Sequence, residues 1–202
     1  MKNNITFQKK DITIITHRHF LLHKPFGTIT QFKNTKRRKK VVLGDHYDFP
    51  EKTMAIGRLD VHSEGLLFLT TDGKMSQHVR GRKVEKEYHV QLDGEIDEAA
   101  IETLKKGVII GTKDGKYLTK PCEARRLIPP PVFAPRSRPV RDKHRPSSWA
   151  AIILREGKNR QVRKMTAAVG FPTIRLIRVR IGNVHLGDLQ QGEVIEVPSF
   201  DV

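Results

Sequence analysis

The stretch that most constrains the fold is residues 57–69, GRLDVHSEGLLFL. Its second half is an apolar run too short for a buried helix and bounded by turn residues, which predicts a buried strand. Its first half is a tight turn that carries a guanidinium, Arg58, and a carboxylate, Asp60, two residues apart. A turn pinned to a buried strand holds both polar groups on a rigid edge, the usual support for a functional constellation. Taken alone, so short an Arg/Asp spacing is more often a surface ion pair worth about 0 to 1 kcal/mol. The case for chemistry must therefore come from other segments.

Residues 1–17 are polar and basic and read as a flexible arm. The first strand is HFLLHKPFG, stopped by Pro25 and Gly27. In NTKRRKK, Lys36 to Lys40 are five consecutive cations, which must be solvated or lie against phosphate. After the strand at 66–71, Asp72-Gly73 reads as a hairpin or turn dipeptide, followed by a short helical piece over 74–79. Residues 86–92 alternate as a strand with Tyr88, Val90 and Leu92 on one side. Asp97 should cap a helix whose apolar face holds Ile101 and Leu104 and which stops at Gly107. Strand character resumes at 108–110 and around Leu118, with Asp114-Gly115 as the turn between them.

Between 129 and 146, prolines alternate with arginines, so helix, central strand and burial are all disfavoured and an extended basic loop projecting from the core is expected. A strand follows at 149–154. Asn159 is a candidate N-cap for a helix over 160–169 that buries Val162, Met165 and Val169. Arg160, Arg163 and Lys164, at i, i+3 and i+4, share another face. In the strand at 174–181 the apolar phase changes, which predicts a bulge near Leu176, with Arg175, Arg178 and Arg180 at polar positions. The last strand is 194–197. Strands outnumber helices and several meet through hairpin turns, so the fold class is α+β with a largely antiparallel sheet.

Charge narrows the function. Thirty-eight lysines and arginines against 22 acids give +16, an imbalance that points to a polyanionic partner, nucleic acid before a membrane surface. No stretch has transmembrane or signal-peptide length and character, and Cys122 is the only cysteine, so a cytoplasmic protein without an intrachain disulfide or a thiolate zinc site is expected. The histidines show no metal-ligand spacing.

Three stretches, GRLDVHSEG from Gly57, KEYHVQLDG from Lys86 and EGKNRQVRKMTAAVGFPTIRLIRVRIG from Glu156, are similar in order and wording to RNA pseudouridine synthases of the RsuA type. The resemblance runs from about His23 to about Val197, nearly the whole chain. It implies the pseudouridine synthase fold, a mixed sheet in two halves with a catalytic cleft between them, spread over a single catalytic domain, residues 18–202, with two subdomains. It leaves no room before His23 for the S4-like RNA-binding module of many relatives, so the basic segments would have to grip the RNA. The wording is nearest to enzymes of large-subunit (23S) ribosomal RNA, with small-subunit rRNA or tRNA as alternatives. A non-enzymatic rRNA-binding or assembly protein would explain the charge equally well.

The resemblance also assigns roles. Asp60 would be the catalytic carboxylate, attacking C1′ or abstracting the 2′ proton. Arg163 would be its basic partner, expected within salt-bridge distance because a carboxylate in a dry cleft needs a cation to remain charged. Tyr88 would stack on the flipped uracil, Arg58 would fill the space the uridine leaves, and Val162 would wall the base. Arg160 and Lys164 would contact the substrate beside them. No metal or cofactor is required, and a monomer is expected. The turn departs from the family wording at Val61-His62, where relatives more often carry a charged or polar residue followed by Asp or Thr. A lone loop histidine there is most simply structural.

Overall fold

The structure, a computed structural model, describes residues 17–34, 40–81, 83–138 and 146–202. The expected basic arm before His17, residues 36–39 of the charged run and residues 139–145 of the proline and arginine segment lie outside the described residues. In chain order the first strands are β1 (His19–Lys24), β2 (Met54–Ala55) and β3 (Glu64–Thr70). They are followed by α1 (Gly73–Arg80), β4 (Lys86–Asp93) and α2 (Glu98–Lys106). Next come β5 (Ile109–Thr112), β6 (Gly115–Leu118), β7 (Glu123–Arg126) and β8 (Ser147–Leu154). Last are α3 (Gln161–Ala168), β9 (Thr173–Ile181), β10 (Val184–His185) and β11 (Val194–Val197).

Every residue of β1 and β3 is buried because both faces of these strands are covered. On one face Leu21, Leu66 and Phe68 pack with Val79 of α1 and Phe200. On the other, Phe20, Leu22, Leu67 and Leu69 pack with Leu43, Phe32, Tyr47 and Phe49. A strand enclosed on both sides favours apolar residues at successive positions, which is why residues 66–69 read without alternation. Past β3, Asp72 does not make a hairpin: its side chain accepts from the Lys74 and Met75 amides and caps α1. An aspartate followed by glycine satisfies a turn and a helix start equally well. Asp97 caps α2 as expected, accepting from the Ala100 amide.

The main sheet runs β11-β1-β3-β9-β4-β8-β7, with β2 on β3 and β10 on β9, and β5-β6 forms a separate hairpin. All its pairings are antiparallel except one. Where β3 meets β9 the strands are parallel, and the register holds only two pairs, Glu64 with Ile177 and Gly65 with Arg178. Two antiparallel halves therefore meet at a single parallel seam, as the α+β reading with a divided sheet anticipates. One apolar cluster belongs to the second half, where Ile101 and Leu104 of α2 and Val162 and Met165 of α3 cover Val90, Leu92, Ile152 and Leu176. The cluster under α1 crosses the seam, joining Leu21 and Phe68 to Ile177 and Ile181.

Two features make the seam specific. Gly65 has φ +102, and a Cβ there would meet the Arg178 carbonyl oxygen at 2.3 Å, so only glycine permits the approach. Glu64, fully buried, takes a two-pronged bond from the buried Arg175, with Nε to Oε1 at 3.0 Å and Nη2 to Oε2 at 2.8 Å. Arg178 is buried as well and donates through Nε to the Leu66 carbonyl at 2.7 Å.

These contacts correct the reading of β9. Of its three arginines only Arg180 holds a mainly peripheral place, paired with Glu85 and Glu87, whereas Arg175 and Arg178 bind across the seam. The apolar residues also need no bulge at Leu176, because Leu176 packs under α3 while Ile177 packs on the opposite face. The register slips in β9 lie instead at Val179 and Ile174, which are skipped in the pairing with β4. Part of the described proline segment lies back against the fold, although Val132 is fully exposed. Phe133 packs on Trp149, the Ala134 carbonyl accepts from Arg175, and the Arg136 guanidinium lies 4.6 Å from the centre of the Phe26 ring.

Gly65→Ala should lower stability by at least about 2 kcal/mol, since the added methyl meets backbone on a strand that has no room to shift and φ is positive. Urea unfolding followed by circular dichroism measures this, with Gly73→Ala, where a Cβ meets nothing within 4 Å, as the tolerant comparison.

Candidate active site

The turn before β3 is held by its own backbone. Five consecutive carbonyls, residues 59–63, each accept a hydrogen bond. Leu59 takes the Thr30 hydroxyl at 2.7 Å, Asp60 the Ser63 amide at 2.9 Å and Val61 the Gly27 amide at 2.8 Å. His62 takes Arg163 Nη2 at 2.7 Å, and Ser63 takes Lys24 Nζ at 2.8 Å. The Asp60 side chain projects from this fixed loop at the N-terminal end of the seam. Across from it stand the loop between β8 and α3 and the first turn of α3.

Between them lies a cavity of about 310 Å³, walled by Asp60 and Ser63 on one side and by Arg160, Val162 and Arg163 on the other, with Tyr88 and Leu176 from the sheet also lining it. That is enough room for a nucleoside-sized group. Tyr88 packs against the core beneath α3, and its hydroxyl has no protein partner among the described residues. The cavity thus combines two carboxylates, Asp60 and Glu156, with one unengaged phenol, an apolar wall and a cationic rim.

The rim is divided in a way the sequence did not indicate. Asp60 pairs with Arg160, whose Nη1 lies 3.4 Å from Oδ2, both side chains being partly exposed. The expected direct pair with Arg163 is absent, for Arg163 lies outside the 4.0 Å limit for an ion pair and spends its guanidinium on two carbonyls, His62 at 2.7 Å and Thr173 at 3.2 Å. Burial, and then the neighbouring Arg160, pull the Arg163 pKa down to about 10, with Asp60 pulling it back, so it stays charged at neutral pH. Arg163 therefore ties the Asp60 turn to the start of β9, and Arg160 supplies the ion pair.

Arg160 reaches Asp60 from a left-handed backbone, φ +53, and stands at the N-cap of α3 without a capping side chain. Asn159 is not the cap. The preceding loop is organised by Gln161, which donates to Glu156 Oε1 at 2.7 Å and accepts from the Lys158 amide at 2.9 Å. Glu156 also accepts from the Tyr117 hydroxyl and the Lys120 amide, which holds its carboxyl below the usual range despite partial burial. The β5-β6 hairpin is thereby laced to the cavity rim.

The comparisons with known proteins agree on the family. The model of the family described as RNA pseudouridylate synthase matches residues 18–168. The chain belongs to that family. It is 42% identical over 176 residues, covering 86% of this chain and 91% of the relative, to ribosomal large subunit pseudouridine synthase E of Xanthomonas campestris pv. campestris. It is 41% identical over 199 residues, covering 97% and 81%, to the protein of the same name from Vibrio vulnificus. Among solved structures it is similar to a pseudouridylate synthase crystal structure, with a TM-score of 0.72, 26% identity and coverage of 90% of this chain and 70% of that one. The synthase is an isomerase.

Of the residues the sequence singled out, the synthase gathers Arg58, Asp60, Tyr88, Arg160, Val162 and Arg163 around one cavity. Lys164 does not line it, and its Nζ instead donates to the Gly111 carbonyl of β5 at 2.6 Å. Sequence reasoning missed Lys24, Glu64, Arg175 and Gln161, whose charged or polar types suggested surface. The HKPFG wording placed Lys24 at a strand end without showing that its ammonium turns inward. No group of three or more His, Cys, Asp or Glu suited to a metal occurs among the described residues, and no helix among them is long and apolar enough to cross a membrane.

Lys24 is fully buried, and desolvation lowers its pKa to about 7 against the opposing pull of Glu64 and Asp60. The unfolded chain would titrate near the ordinary lysine value, so between pH about 7 and about 10 it binds a proton that the folded synthase does not. Stability should therefore rise with pH across that window. Lys86, lowered to about 8 by burial, adds to the upper part with the same sign. Urea midpoints at the two ends of the window should rise for the wild type and rise less for Lys24→Met.

Proposed function

We propose that the synthase converts a uridine of large-subunit (23S) ribosomal RNA to pseudouridine, with Asp60 as the catalytic carboxylate. The observation that carries this reading is a carboxylate on a rigid turn, facing a nucleoside-sized cavity between Tyr88 and Val162. The choice of RNA is supported by relatives whose names specify the ribosomal large subunit and of which the chain covers 91% and 81%. The net charge of +16 suits that polyanion.

The reaction breaks the bond from uracil N1 to C1′ of the ribose, turns the base and joins C5 to C1′. N1 gains a proton and C5 loses one, so nothing is consumed. The enzyme must hold the nucleotide out of its stack, keep a carboxylate ionised against the ribose and assist loss of the C5 proton. Asp60 serves the ribose, whether by attack on C1′ or by removal of the 2′ proton. The Arg160 guanidinium faces it as an exposed single-pronged ion pair, worth only about 0 to 1 kcal/mol. Tyr88 stacks on the turned base, and its unengaged hydroxyl is available to the C5 proton. Val162 supplies an apolar wall. Arg58, exposed at the rim, fills the gap the uridine leaves and offsets part of an unstacking cost of a few kcal/mol. Arg163 acts through the turn it holds.

Mapping pseudouridine across ribosomal RNA from cells with and without the gene should reveal one or more large-subunit sites that depend on it, and an unchanged map refutes the assignment. On RNA carrying tritium at uracil C5, Asp60→Ala should lower tritium release by at least about a thousandfold while RNA affinity stays within a few fold. Arg58→Ala should lower kcat/KM by about tenfold.

A further inference from the structure

The residue at which the turn departs from the family wording makes a contact that the reaction above does not use. His62 is exposed, and its imidazole stacks on the Phe26 ring with centroids 5.3 Å apart and planes 22° from parallel. Phe26 can cover only one face of the imidazole. It is itself braced by the Arg136 guanidinium, 4.6 Å from its ring centre. Arg136, Arg138, Arg160 and Arg163 all lie close enough to act on His62, and with partial burial they depress its pKa below the ordinary histidine value. The ring is therefore a neutral aromatic plane at neutral pH, surrounded by fixed positive charge. Its backbone is immobilised because the His62 carbonyl binds Arg163 and the adjoining Val61 carbonyl binds Gly27.

A flat, backed aromatic surface among arginines, two residues from the carboxylate at the cavity, has the chemistry that recognises an unstacked nucleotide: a π-face for the base and cations for the phosphates. When one nucleotide leaves its stack, its neighbour loses a partner on the side that faced it. We propose that the free face of His62, supported by Phe26, is a stacking subsite for the base adjacent to the uridine that enters the Asp60 cavity, with Arg136 and Arg138 facing its phosphates. This rests on the uridine-isomerising function proposed above. It makes His62 a substrate-positioning residue, since it compensates for the stacking that base turning removes.

The test compares binding of a short single-stranded RNA with one central uridine and adenines elsewhere with binding of the same RNA made abasic at either neighbour of the uridine. Fluorescence anisotropy reads the affinity. For the wild type, removing the base on one side should weaken binding by about tenfold, the scale of one stacked base. His62→Ala should bind the intact RNA about tenfold more weakly and no longer distinguish it from the abasic one, and His62→Phe should restore both affinity and discrimination. Because the His62 side chain is exposed and its anchoring bond is from the backbone, these variants test the ring without disturbing the turn. Wild-type affinity in His62→Ala, or undiminished discrimination by it, overturns the subsite. Tritium release from large-subunit rRNA by the wild type is measured alongside. If it occurs and the His62 arms fail, only the subsite falls, whereas if it does not occur the isomerase reading falls and the binding arms still decide the subsite.

Discussion

The structure depends on a parallel contact only two residue pairs long. Each half of the sheet is antiparallel and carries apolar packing of its own, but the cavity belongs to neither, and its walls come together only where β3 lies beside β9. Two backbone pairs are a short ladder for such a junction. The buried Glu64–Arg175 bond, the Arg178 bond to the Leu66 carbonyl and the close approach at Gly65 supply what the ladder lacks. Removing one member of a buried ion pair costs about 3 to 5 kcal/mol, whereas an apolar pair of the same volume is often as stable. A charged pair here contributes orientation: its two parallel bonds fix the direction in which β9 meets β3 as well as the distance.

The same economy appears in the turn that bears Asp60. No strand or helix includes residues 59–63, yet all five of their carbonyls are bound, by three donors from residues 24–30, by Arg163 and by one amide within the turn. Irregular backbone is ordinarily the mobile part of a fold. Here it is fixed from several directions, and the two arginines of α3 and its approach divide the work. Arg163, half-buried and bonded to carbonyls, holds the turn; Arg160, exposed and on a strained backbone, meets the carboxylate.

Much of this was legible in the residues. The alternation of β4, the cap at Asp97 and the gathering of Asp60, Tyr88 and the α3 arginines follow from local pattern or from family wording, and the turn expected at Asp114-Gly115 falls one residue earlier, at Lys113-Asp114. What escaped the sequence has one physical cause. Pattern reading assigns charged residues to the surface, and at Lys24, Glu64, Arg175 and Arg178 the fold buries them in partnerships between segments far apart in the chain. Arg175 and Glu64 are separated by 111 positions. The exchange of roles between Arg160 and Arg163 was hidden for a related reason: both lie on the approach to Asp60, and only the Thr173 and His62 carbonyls decide which is already occupied.

The outermost pairing of the sheet bears on how the chain acquires its shape. β1 is bordered on one side by β3 and on the other by β11, and Arg18 grips Glu196 across 178 positions at 2.6 Å through both of its bonds. During synthesis β1 can join β3 first, but its other edge stays open until β11 has been made. Long-range pairing of this kind delays completion and leaves an unpaired strand exposed meanwhile. The fold thus keeps an unpaired strand edge on β1 for as long as β11 is missing from it.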